Sequence, residues 1–373
     1  MRRMLPRTRG MQMISFSDKD WDRIRTTYRK WWKGELGRPI LPCVFWGKEP
    51  GRDKPFVPLL SYENCLDMTI PPEQIIDRYD YELSCCEYAG DSFPCMQMAQ
   101  FGPGVTAAFL GADPVYGEST IWFKPARVLP LDELHFEFDE NNVWWQRILA
   151  IYRAGMRKWR GNVVMGMTDL GGMLDLLAVF RTTENLLLDL YDEPKEVLRL
   201  LRELSEVWMR CYAEIVDILC GSQGYTDWGT IYYEQPSYML QSDFSYMLGP
   251  EMFQKFVEPE LRMSARRLGR AFYHLDGVGE LRHLDALLAI EDIKGIQWIP
   301  GEGEPRERDW SYVYRKIDGK GKKLQVPYGL DCYTDEIIGA VSSPDTLIKM
   351  QITYPMAEKG RILNKLKKYG AEP

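Results

Sequence analysis

The chain has 373 residues, 45% of them hydrophobic and 27% charged, and its 47 Lys and Arg against 54 Asp and Glu leave a net charge of −7 with only three histidines. So much apolar and aromatic residue excludes an intrinsically disordered chain, and no run reaches the ~18 apolar residues of a membrane span. No basic block offers the phosphate neutralisation that nonspecific nucleic-acid binding requires.

The first sixteen residues carry Arg2, Arg3, Arg7 and Arg9 but lead into no apolar stretch, and they read as a flexible tail ahead of a single domain over 17–373. Ser17 followed by Asp20 forms a capping box that opens a helix over 18–33. Short apolar runs bounded by Gly, Pro or polar residues predict eight strands: Ile40–Trp46, Phe93–Met98, Asn162–Thr168, Tyr225–Ile231, Ala271–His274, Gly295–Ile299, Lys323–Val326 and Lys349–Thr353. Helices are predicted between and after them at Asn141–Trp159, Pro194–Leu219, Pro250–Leu268 and Met356–Lys368, with Pro194 and Pro250 at first-turn positions where the missing N–H costs nothing. Residues 48–78, rich in Pro and charge, read as an insertion after the first strand. Ile121-Trp122-Phe123 reads as a hairpin over the mouth.

Eight strands with helical crossovers predict an α/β fold, a (β/α)8 TIM barrel with an N-terminal helix and insertions at its mouth, whose site sits at the C-terminal strand ends. The alternative is a doubly wound sheet with a small second domain. Gly301-Glu302-Gly303-Glu304 provides only a G-x-G, without the third glycine or following helix of a nucleotide loop. Eight cysteines at no repeated spacing, without C-x-x-C, suit reduced thiols in a cytoplasm.

The fifth predicted strand ends at His274 and is followed at once by Leu275-Asp276-Gly277. An imidazole and a carboxylate at a strand's C-terminal rim are the groups used for metal binding or proton transfer near pH 7. The plain alternative is that both satisfy backbone groups near a turn. Asp169 before Gly171-Gly172, Trp228, Tyr232 and Tyr233 around the fourth strand, and Trp298 at the end of another would line a pocket. Aromatic residues also fill barrel cores. Asp243 precedes a helix and either caps it or meets a ligand. Arg181 either holds a substrate carboxylate or braces a loop acid.

Several motifs together resemble one family. They are Phe101-Gly102-Pro103-Gly104, Asp169-Leu170-Gly171-Gly172, Leu187 to Pro194, Ser242-Asp243-Phe244-Ser245, Gly249-Pro250-Glu251-Met252-Phe253, Tyr273-His274-Leu275-Asp276-Gly277 and Ile296 to Gly301. The chain thereby resembles the uroporphyrinogen decarboxylase superfamily, which includes cobamide-dependent methyltransferases on the same barrel. Where the porphyrinogen decarboxylases have an arginine-rich R-Q-A-G-R motif, this chain reads Arg38-Pro39-Ile40-Leu41-Pro42. Where the methyltransferases bind zinc through H-x-C and a later cysteine, it has His274-x-Asp276 and Thr353-Tyr354-Pro355.

The resemblance implies a methyltransferase that moves a methyl group between a small substrate and a corrinoid supplied by a partner protein. It implies a divalent metal, such as zinc, held by His274 and Asp276 with another acid, Glu118 or Asp243. His274, Asp276, Asp169 and Tyr233 are the expected catalytic residues. Trp298, Trp228, Tyr232, Arg181, Asp243 and Trp122 are expected around the substrate. A decarboxylase of a carboxylated pyrrole or small acid, and a non-catalytic ligand-binding barrel, are the alternatives. The expected partners are a small molecule, a corrinoid protein and a second copy of the chain.

Overall fold

In the computed structural model, which describes residues 14–301, 303–304 and 308–371, helix Asp18–Lys33 opens on the predicted capping box. The Asp20 carboxylate accepts Ser17 N–H at 2.7 Å, and Ser17 Oγ accepts Asp20 N–H at 3.4 Å. Trp21, Ile24, Tyr28 and Trp31 fall on one stripe of this helix and are buried against Phe93, Tyr232 and Phe272. Of the stretch expected to be a tail, residues 1–13 lie outside the described residues. Phe16, however, is buried edge-on against Trp21 and Tyr88, so order begins before residue 17.

Fourteen strands follow among the described residues. They are β1 (Pro42–Trp46), β2 (Cys86–Gly90), β3 (Cys95–Met96), β4 (Asp113–Tyr116), β5 (Ile121–Lys124), β6 (Val164–Met165) and β7 (Tyr225–Thr226). After these come β8 (Tyr232–Tyr233), β9 (Met239–Leu240), β10 (Ala271–Asp276), β11 (Ile293–Ile299), β12 (Lys323–Val326), β13 (Leu347–Lys349) and β14 (Ile352–Pro355). β9 to β13 form a wholly parallel sheet in chain order. β3 pairs with β6 in parallel, and single bridges join Gly166 to Thr226 and Ile348 to Ile40. β1 runs parallel to β14 and antiparallel to β2, while β4–β5 and β7–β8 are antiparallel hairpins.

The fold is therefore mixed α/β with parallel sheets, but the described ladders form separate sheets and not the one closed sheet the sequence predicts. Side-chain amides stand where ladder bonds are missing. Gln351 bonds both Phe93 N–H and Phe93 C=O, and Gln97 Nε2 donates to Asp227 O. The last expected strand is split into β13 and β14, and β2, β4, β8 and β9 were not foreseen, β8 and β9 because each spans only two residues.

Helix Pro194–Ile218 buries Leu200, Leu204, Trp208, Cys211 and Ile215, a stripe at spacings of three and four. The helix predicted at Pro250–Leu268 is two, Pro250–Phe256 and Glu258–Leu268, because Pro259 has no N–H to continue the ladder and its ring crowds the preceding turn. The insertion over 48–78 is pinned from beneath by Arg147, which is buried and donates to the carbonyls of Cys65, Asp67 and Ile70. All eight cysteines are free thiols. No helix of the described residues is long and apolar enough to cross a membrane.

Candidate functional site

Alternation along β10 puts His274 and Asp276 on one face, with Tyr273 and Leu275 buried on the other. Across the ladder His274 stands opposite Gln297 of β11, and Gln297 opposite Gln325 of β12. Their side chains form a directed chain. The carbonyl of Gly229 can only accept, so Gln325 presents its Nε2 there at 2.8 Å and turns its Oε1 to Gln297 Nε2 at 2.6 Å. Gln297 Oε1 then faces His274 Nδ1 at 2.5 Å and requires an N–H from it. A neutral His274 is thereby fixed with its proton on Nδ1 and its lone pair on Nε2.

Nε2 faces carboxylates, which favour a second proton there in the absence of a cation. His274 Nε2 lies 3.8 Å from Asp276 Oδ2, and donor atoms of Asp243, His274 and Asp276 all lie within 4.8 Å of one another. Asp243 arrives on the one-turn helix Asp243–Met247, whose first amides are held by the Asp175 carboxylate: Phe244 N–H donates at 2.7 Å and Asp243 N–H at 3.1 Å. Asp243 and Asp276 line a cavity of about 340 Å³ whose wall also includes Tyr246, Gly277, Gly301 and Glu304. Gly277 (φ 84) and Gly301 (φ 94) both adopt left-handed backbone, and a Cβ on Gly301 would sit 3.0 Å from Gly277 Cα. Only glycine lets these two loops close together there.

Acids crowd the site, and His274 is the one basic group in the cluster. Burial pushes Asp169 up to about 6, although the amides of Gly171 (2.8 Å) and Gly104 (3.3 Å) donate to it. Burial and the neighbouring Asp243 charge raise Asp175. Burial likewise raises Asp243, with Asp276 adding to the shift and His274 opposing it. Glu280, fully buried, is raised well above the carboxylate range by burial and by Asp243, Asp175 and Asp276; its Oε1 has no hydrogen-bond partner among the described residues. Burial disfavours a charged His274, but the Asp276 carboxylate beside its Nε2 and the charge of Asp243 outweigh that and raise its pKa. Trp228 stands edge-on to the imidazole, ring centroids 4.9 Å apart.

The expected site residues divide accordingly. His274, Asp276, Asp243, Asp169 and Trp228 come together. Glu118, expected as a metal ligand, lies exposed at the β4–β5 turn and outside the cluster; Asp243 takes its place. Trp122 is exposed on β5. Trp298 does not line the mouth: it stands opposite Leu275, on the face away from His274, and packs against Trp310. Tyr232 is core beneath helix Asp18–Lys33, and buried Tyr233 donates its hydroxyl to Asp227 at 2.9 Å and stacks on Trp32. Arg181 braces a loop, paired bidentately with Asp189 at 2.7 and 3.0 Å. Gln297, Gln325, Asp175 and Glu280 were missed. Only Gln297 had a signal, being a lone polar residue in the middle of an apolar strand.

No protein-family model matches the chain, and no curated protein matches it. Among solved structures it is similar to a methyltransferase from Methanosarcina mazei, with a TM-score of 0.57 at 11% identity over 93% of this chain and 99% of that one. At that identity the likeness shows a shared fold over nearly the whole length of both chains.

Proposed function

We propose that this chain is a cytoplasmic methyltransferase-like enzyme on a (β/α)8 barrel of the uroporphyrinogen decarboxylase superfamily, moving a methyl group between a small molecule and a corrinoid carried by a partner protein. The observation that carries the reading is the convergence of His274, Asp276 and Asp243 at the C-terminal rim of β10, with the imidazole tautomer already set. The order of parallel pairings and single bridges, running β3–β6–β7 and β9 to β13 and then to Ile40, supports the barrel. The likeness to a methyltransferase of the same fold supports the reaction class.

One imidazole nitrogen and two carboxylates, with no thiolate, make a donor set suited to zinc or a harder divalent ion. Such an ion would supply Lewis acidity to the heteroatom that gives up or receives the methyl group. Gln297 and Gln325 aim the imidazole, and Trp228 keeps water off its edge. Asp169, titrating near 6, is poised to hold or return a proton to that heteroatom. A decarboxylase reading lacks its carboxylate clamp, because Arg181 is already paired with Asp189.

Metal analysis of the purified protein, combined with methyl transfer from methylcobalamin over a panel of acceptors, tests the reading. The expected result is a bound divalent ion and corrinoid-dependent turnover, with His274→Ala losing the ion and about 100-fold or more in rate, the scale of a removed metal ligand or its support. A metal-free protein with no corrinoid-dependent turnover on any acceptor or donor of the panel overturns it.

A further inference from the structure

A second cavity, of about 390 Å³, opens on the neighbouring loops that follow β11 and β12. Its wall is made largely of aromatic rings, Trp310, Tyr314, Tyr328 and Tyr333, and its charged lining includes the carboxylates Asp309 and Glu336. It is distinct from the cavity lined by Asp243 and Asp276, with which it shares no lining residue among those described. Among the described residues Arg308 links the two, its guanidinium pairing with Glu304 of the first cavity at 2.6 Å.

Three observations define what would fit. Arg308 already rests over the Trp310 ring, 4.4 Å from its centroid, so the protein itself places a cation on this aromatic wall. Tyr328 and Tyr333 meet at 5.6 Å and 64°, an edge-to-face corner that turns ring surface toward the space between them. Tyr333 holds that position in left-handed backbone, φ 55 and ψ 17, a conformation that costs a bulky residue roughly 1–2 kcal/mol. Backbone strain of this kind concentrates where a side chain must be aimed.

The charge balance points the same way. Asp309 is held below the usual carboxylate range, chiefly by hydrogen bonds from Ser311 with a smaller contribution from the Arg315 charge, and so is ionised at neutral pH. On the Glu336 side the buried Lys349, which feels the Glu336 charge, is pushed down to about 7 by burial and donates to the Cys332 carbonyl at 2.7 Å. At pH 8 it is mostly neutral and offsets little of the Glu336 charge. The rings of Tyr314, Tyr328 and Tyr333 beside the Arg308-covered Trp310, with two carboxylates and, among the described lining residues, one guanidinium already paired with Glu304, make a poor site for an anion and a good one for an alkylated cation whose positive charge is spread over methyl groups.

We propose that this cavity binds a small quaternary ammonium ion, and that it does so independently of the metal-binding and methyl-transfer reading of the His274 cluster. The test is isothermal titration of the full chain at pH 8 with choline and with its uncharged isostere 3,3-dimethylbutan-1-ol. Choline is expected to bind at least ~10-fold more tightly than the isostere. Tyr328→Leu and Glu336→Gln are each expected to weaken choline by about 3- to 30-fold, the range of one cation–π or charge contact. Tyr328→Phe, which keeps the ring, is expected to stay within about 3-fold and guards against misfolding as the explanation. Equal binding of the two compounds, no binding of choline, or an undiminished affinity in Tyr328→Leu overturns the proposal. So does loss of choline binding in Asp276→Asn, which would put the cation in the carboxylate cluster instead.

Discussion

A backbone carbonyl two strands away determines which nitrogen of His274 is free. Gly229 O orients Gln325, Gln325 orients Gln297, and Gln297 takes the Nδ1 proton. Removing the middle link should release the ring without touching its donor atom. Gln297→Leu is expected to lower divalent-metal affinity by about 10- to 100-fold, as loss of a hydrogen bond behind a ligating histidine does elsewhere, with secondary structure retained. Competition titration against a chromophoric chelator reads this directly; unchanged affinity would remove Gln297 from the positioning role. His274 and Asp276 were legible in the sequence because i and i+2 share a strand face. Gln297 and Gln325 were not, because cross-strand neighbours depend on register.

At the scale of elements, β1 is anchored by a pair that spacing could not reveal. Arg38 meets Asp91 through two bonds of 2.7 and 2.8 Å, and the fully buried Asp91 also accepts Leu41 N–H at 2.9 Å. Arg38→Ala leaves that carboxylate buried without its counter-charge and is expected to cost about 3–5 kcal/mol, read as a shift in the urea midpoint. Adding Asp91→Asn should restore part of the loss; a double variant no more stable than the single one would assign the cost to the lost packing of Arg38. Elements with strong local punctuation were readable: the Ser17 capping box, the first-turn prolines, the β11 and β12 runs. The faces of those strands were less so. Trp298 reads as a pocket wall by its position at a strand end, yet strand alternation turns it to the helix layer, where Trp310 covers it.

Across the whole molecule, buried acids give stability a definite pH dependence. Burial raises Asp227 to about 7, Glu260 to about 7 and Asp169 to about 6 from ordinary values near 4. In the folded chain these groups keep their protons to higher pH than in the unfolded chain, so folding binds protons between about 4 and 7 and stability falls as pH rises through that window. His274, raised in the fold, adds to the same trend: its contribution is complete below about 6.5 and fades as pH climbs through the folded value. The melting temperature without added metal is expected to be higher at pH 5.5 than at pH 8. Asp227→Asn, which keeps the shape facing Tyr233 and Gly229 but cannot ionise, should flatten the slope. Scanning calorimetry across that range checks both, and a melting temperature that rises from pH 5.5 to 8 would contradict the assignment.

The sequence by itself determined what depends on near neighbours along the chain: an α/β chain of alternating strands and helices, the capped first helix, and an imidazole and a carboxylate two residues apart at a strand's end. Tertiary structure decided which of the remaining polar residues joined them. Asp243 replaced Glu118 because the Asp175 carboxylate holds its loop over β10. Tyr232 and Tyr233 went to the core because the N-terminal helix covers them. Arg181 went to Asp189. Each of these outcomes is set by which surfaces are packed together, and packing partners many residues apart leave no trace in local spacing.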